Sequence, residues 1–67
     1  MTWYIIYEYF GKKRREMIGI ADSDKEARRI SRLYSQSIID KYETDGERDT
    51  IKLMATYNCN GEQIITE

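Results

Sequence analysis

The chain is 67 residues long, which gives room for one compact domain over residues 1–67. One cysteine and no histidine exclude an internal disulfide and remove the commonest metal ligand and general base. An apolar fraction of 40% with eight aromatic side chains excludes a disordered chain, while the net charge of −1 says little by itself about partners.

Without a staple, stability has to come from an apolar core, and a domain of about 60 residues buries only about 60% of its unfolded surface. The charges are segregated along the chain. Residues 1–32 hold eight basic and five acidic side chains; residues 33–67 hold three basic and seven acidic.

Residues 2–10 combine β-branched and aromatic side chains almost without interruption, which predicts a strand. Its apolar run Trp3–Tyr7 is far short of the ~20 residues of a membrane span, and no signal-peptide pattern surrounds it. A cytoplasmic protein is therefore expected. Gly11 opens a polar hairpin connection, Lys12-Lys13-Arg14-Arg15, and residues 16–21 alternate as a second strand. Ser23 and Glu26 form a Ser-x-x-Glu capping box that starts a helix. The spacing of Ala27, Ile30, Tyr34 and Ile38 extends that helix to about Tyr42, where Glu43 to Gly46 ends it. Residues 49–58 alternate as a third strand. Asn60-Gly61 predicts a two-residue hairpin turn, and residues 62–66 return as a fourth strand, with Tyr57 opposite Ile64 and Thr56 opposite Ile65.

The fold class that follows is α+β: a ββαββ domain whose four-stranded antiparallel sheet carries one helix on one face. The first strand is apolar on both sides and belongs in the interior, which gives the order 2-1-3-4. A hairpin loop of two or four residues then turns Trp3, Ile5, Tyr7, Ile18, Ile20, Ile51, Leu53, Ala55, Tyr57 and Ile64 toward the helix. The opposite, open face is expected to carry Tyr4, Ile6, Phe10, Met17, Met54 and Ile65. An odd loop would exchange the two faces of the first strand. In either register an apolar patch remains uncovered, and such a patch marks an interface.

The remaining candidates are charged. Lys12, Lys13, Arg14 and Arg15 read either as contacts to phosphates or an acidic protein, or as a solvated tip that discourages edge aggregation. Arg28, Arg29 and Arg32 extend that patch or pair with neighbouring acids along the helix. Tyr4 and Phe10 offer stacking platforms for bases, and equally a protein contact. Glu43, Asp45, Glu47 and Asp49 lack the spacing of a calcium loop and read as a solvated acidic stretch or a recognition patch. Cys59 has no histidine to activate it. No catalytic set, cofactor fingerprint or metal ligand set emerges, so no enzyme, cofactor or metal site is expected.

The compact layout, the tyrosine-rich strands and the lack of catalytic chemistry resemble small virus-encoded accessory proteins. That resemblance implies a non-enzymatic inhibitor that binds and blocks a host protein, in the host cytoplasm. The sequence thus points to a protein-binding module using the open face and charged loops, compatible with a homodimer. The alternative is a nucleic-acid-binding domain using the basic hairpin and helix face.

Overall fold

A computed structural model describes residues 1–44 and 51–64. Strand β1 (Thr2–Phe10) is followed by β2 (Lys13–Ala21), helix α1 (Asp24–Ser31), β3 (Ser37–Thr44), β4 (Ile51–Asn58) and the short β5 (Gln63–Ile64). The sheet order is β2-β1-β3-β4-β5, and every neighbouring pair is antiparallel. The fold is thus a small α+β arrangement with one helix against one antiparallel sheet. It has five strands among the described residues rather than four.

The additional strand is β3, which lies where the sequence spacing extends the helix to Tyr42. Ser23 caps α1 as its motif requires, its hydroxyl accepting from the Glu26 amide at 3.2 Å. The helix nevertheless stops at Ser31. Ser37 Oγ donates toward the Ser31 carbonyl at 3.1 Å and lies 3.3 Å from the Tyr34 carbonyl. The Ser31 hydroxyl meets Ser37 Oγ at 2.7 Å. These serines satisfy acceptors that the end of a helix leaves open, so the chain turns without stranding polar groups. Beyond the turn, Ile38, Ile39, Tyr42 and Thr44 favour the extended chain, where branched and aromatic side chains pack on a pleated surface. Ser37, Ile38, Ile39 and Asp40 are all buried, in a strand that lies between β1 and β4.

The first hairpin closes through Gly11 and Lys12, both at positive φ (63° and 60°), with Phe10 opposite Lys13. Two positive values in a two-residue loop suit the right-handed twist of a hairpin. Ile5 lies opposite Ile20 as expected, but Tyr7 meets Met17 instead of Ile18. Two register shifts account for this. Against β1, strand β2 spends one extra residue between Gly19 and Met17 and another between Met17 and Arg14. Such bulges bend an edge strand and spoil its outer edge as a template for further pairing.

The helix covers the side of β1 opposite to the one expected. The core beneath α1 is Tyr4, Ile6, Ala21, Ala27 and Ile39, with Ile18, Ile30 and Tyr57 packed against it. Tyr4 and Ile6 are therefore core residues and not open-face residues; Ile6 is 0% exposed. By strand alternation, Trp3, Ile5 and Tyr7 point away from the helix, with Ile20 and Leu53 in register on the same side. The shift between Gly19 and Met17 also separates Ile18, which packs against the core, from Ile20, which stays on the helix-free side.

The last turn also differs by one residue. Asn58 N–H donates to the Glu62 carbonyl at 2.8 Å across a loop of Cys59, Asn60 and Gly61, so Thr56 meets Ile64 and Tyr57 meets Gln63. Asn58 Oδ1 accepts from the amides of both Asn60 and Glu62, which favours the longer turn. Gly61 takes the positive-φ position at 85°.

Candidate functional site

The helix-free face is built from alternate residues of the four long strands. Trp3, Tyr42 and Leu53 form one cross-strand row. Ile20, Ile5, Asp40 and Thr56 form the next, and Met17, Tyr7, Ile38 and Asn58 the third. Met17, Ile20 and Leu53 are 53%, 56% and 45% exposed, so no described element covers the margins of this face.

Its centre is polar and closed. Asp40 is 0% exposed although it belongs to the side without a helix. Arg14 reaches it from the edge strand: Nε donates to Oδ2 at 2.7 Å and Nη2 to Oδ1 at 3.0 Å. The Thr56 hydroxyl donates to Oδ1 at 2.7 Å. Since β1 lies between β2 and β3, the Arg14 side chain lies across the sheet as a strap. Two parallel N–H···O bonds between ions are among the strongest and most directional contacts available to a side chain. The hydrogen bond to Asp40 raises the Arg14 pKa above its ordinary value, against the opposing effect of burial.

Tyr42 completes this centre. Its phenol titrates above the usual tyrosine range, first because burial disfavours the phenolate and then because Asp40 is negative. A raised folded pKa means that the neutral phenol stabilises the fold at neutral pH, and that this contribution disappears as pH climbs through the folded value. The unfolding midpoint is therefore expected to fall above pH ~10, the unperturbed tyrosine value. In Tyr42→Phe the fall becomes shallower, measured by thermal melts across alkaline pH. Parallel curves for both proteins would contradict this coupling.

At one margin the face runs into a groove of about 680 Å³ lined by Met1, Thr2, Trp3, Ile20, Ala21, Asp22 and Glu26. Trp3 Nε1 is buried without a hydrogen-bond partner among the described residues. Also among the described residues, no cluster of His, Cys, Asp and Glu is placed to hold a metal ion.

In the comparisons with known proteins, no family model, no curated protein and no solved structure matches this chain. The site therefore has to be read from its own geometry. Among the described residues, no helix is long and apolar enough to cross a membrane.

Of the residues expected on the open face, the structure places Met17 there. Tyr4 and Ile6 are beneath the helix, Phe10 is at the hairpin tip, Met54 is at a register shift of β4, and Ile65 lies outside the described residues. The proposed base-stacking pair is not assembled. Tyr4 is buried, and the Phe10 ring has the Arg15 guanidinium 4.5 Å over its centroid.

The charged candidates divide as well. Arg14 belongs to the strap and is not a free tip residue. Arg28 pairs with Asp24 at 3.1 Å and Arg29 with Glu26, the intrahelical pairing that the sequence spacing allows. Exposed Glu26 titrates below its usual value because Arg29 donates to it. Lys12, Lys13 and Arg32 are exposed. Glu43 is exposed at the far end of β3, opposite Lys52, while Asp45, Glu47 and Asp49 lie outside the described residues.

Sequence reasoning missed Trp3, Ile5, Ile20, Tyr42 and Leu53 as surface candidates, and Asp40 as their centre. The available signal was the string Ile38-Ile39-Asp40-Lys41-Tyr42, in which alternation places an acid on an otherwise apolar strand side.

Proposed function

We propose that this domain is a non-enzymatic protein-binding module whose recognition surface is the helix-free sheet face, and that it blocks a partner by occupying the partner's own surface. The observation that carries this reading is the exposure of Met17, Ile20 and Leu53 around a centre already closed by Arg14 and Asp40. Protein interfaces join an apolar, aromatic interior to a polar rim, with aromatic residues, Met and Arg favoured. Trp3, Tyr7 and Tyr42 supply rigid anchors that lose little entropy on binding. The Arg14–Asp40 pair brings no net charge to the interface and requires no new counter-ion from a partner.

The test is affinity capture of proteins on the immobilised domain, comparing the parent with Ile20→Lys and Leu53→Lys. Both positions are half-exposed, so each variant is expected to keep the parent circular dichroism. Each lysine is expected to remove the captured protein, because an unpaired charge in an apolar interface costs several kcal/mol. Lys25→Glu on the exposed side of α1 is expected to retain it. Identical capture by all four proteins would refute the sheet face as the recognition surface.

A further inference from the structure

The chain has two asparagines, Asn58 at the end of β4 and Asn60 in the turn that leads to β5. The fold treats them differently. Asn58 is half-buried and its side chain is engaged: Oδ1 accepts from the Asn60 and Glu62 amides at 2.9 and 3.0 Å, and Nδ2 donates to Glu62 Oε1 at 3.3 Å. Asn60 is exposed, and its side-chain amide has no hydrogen bond among the described residues. Their successors differ as well. Asn58 precedes Cys59, whose β-carbon shields the main-chain nitrogen, whereas Asn60 precedes Gly61, which has no β-carbon.

An asparagine followed by glycine carries both partners of a ring closure. The glycine main-chain nitrogen, once its proton has passed to solvent base, bonds to the asparagine Cγ and closes a five-membered imide. The bond from Cγ to the side-chain nitrogen breaks, and that nitrogen takes up a proton from water and leaves as ammonia. Water then opens the imide at either carbonyl. One opening gives aspartate; the other gives isoaspartate, in which the main chain runs through the former side chain. The balance is one amide and one water consumed for one acid and one ammonia, with no oxidant or reductant. In this turn the new carboxylate would arise two residues before Glu62.

We propose that Asn60 is a site of spontaneous deamidation, and that the Asn58 side chain is the clasp that sets its rate. The attacking atom is the Gly61 nitrogen, and in the folded turn its N–H donates to the Asn58 carbonyl at 3.0 Å. That bond has to open before the nitrogen can turn toward Cγ of Asn60. The two bonds to Asn58 Oδ1 come from the amides on either side of Gly61 and hold the turn closed around it. Attack therefore runs through a local opening of the turn, which costs far less than unfolding the domain. Where it ends in isoaspartate, an extra carbon enters the main chain between β4 and β5, in the turn that sets Thr56 opposite Ile64. The inference does not depend on the sheet-face reading, and either can fail alone.

The experiment incubates the whole chain and, separately, the free peptide of residues 58–62 at mildly alkaline pH in heavy-oxygen water. Peptide mapping by mass spectrometry then locates the conversion, with fragmentation that separates isoaspartate from aspartate. Asn60 of the whole chain is expected to convert about ten- to thirtyfold more slowly than in the peptide, with isoaspartate the larger product and Asn58 intact. Asn58→Ala is expected to speed conversion at Asn60 by at least about threefold, with circular dichroism verifying the fold. The variant is placed at 58 because Gly61→Ala would strain the turn, at φ 85° and with Arg28 Cζ 3.2 Å from the added Cβ. Asn60 unconverted after about ten half-times of the peptide would overturn the site. Conversion that starts at Asn58, or aspartate formed without isoaspartate, would overturn it too. A whole chain as fast as the peptide, or Asn58→Ala no faster than the parent, would overturn the clasp.

Discussion

Arg14→Met is expected to cost the domain about 3 kcal/mol, although position 14 lies on an edge strand in a run of four basic residues. The cost comes from what remains. Asp40 is fully buried, and without Arg14 its carboxylate keeps the Thr56 hydroxyl but loses its counter-ion and two hydrogen bonds. Breaking a buried pair from one side costs about 3–5 kcal/mol, and the partial exposure of Arg14 sets the expectation at the lower end. For a domain of this size that corresponds to a fall in melting temperature of more than ~10 °C. The double variant Arg14→Met with Asp40→Leu is expected to lie closer to the parent than Arg14→Met alone, because neither charge is left stranded. Urea denaturation of the three proteins measures this. A single variant within about 1 kcal/mol of the parent, or a double variant less stable than the single, would show that the strap is a surface contact of little consequence.

The strap also shows where sequence reading reaches its limit. The strand over residues 2–10, the capping box at Ser23 and the positive φ of Gly61 are legible because each is dictated by groups close together in the chain. The interior position of β1 is legible too, since its apolar and aromatic residues fall on both faces and suit a strand with neighbours along both edges. What is not legible depends on distant groups. Residues 37–44 satisfy helical spacing through Tyr34 and Ile38 as well as strand alternation, and the choice falls to contacts such as Ser31–Ser37 and Arg14–Asp40 that pair residues six and twenty-six positions apart. The two register shifts in β2 are equally hidden. Each moves one residue, and one residue is enough to carry a side chain from one face of a sheet to the other. The open face therefore follows from composition as an expectation, while its members do not. A sheet with one helix leaves apolar residues uncovered, but Ile20 replaces Ile6 and Trp3 replaces Tyr4.

That exchange yields the second large effect: Ile6→Ala is expected to be far more damaging than Ile5→Ala. The two residues are adjacent, chemically identical and in the same strand, so propensity and backbone contributions cancel in the comparison. Ile6 is wholly buried between Ile39 and α1, and truncating a buried isoleucine costs about 2–5 kcal/mol through lost transfer energy and the cavity left behind. Ile5 packs across to Ile20 on the helix-free face, where solvent already reaches the margins, and its truncation is expected to cost about 1 kcal/mol. A domain of this length has roughly 3–10 kcal/mol of total stability, so Ile6→Ala is expected to be partly unfolded at 25 °C while Ile5→Ala melts cooperatively. Equilibrium urea curves for the pair measure the difference directly. The reverse ranking would place the helix on the other side of the sheet, and with it would move the recognition surface from Trp3, Ile20 and Leu53 to Tyr4 and Ile6. The same measurement therefore tests the register and the premise on which the sheet-face function rests.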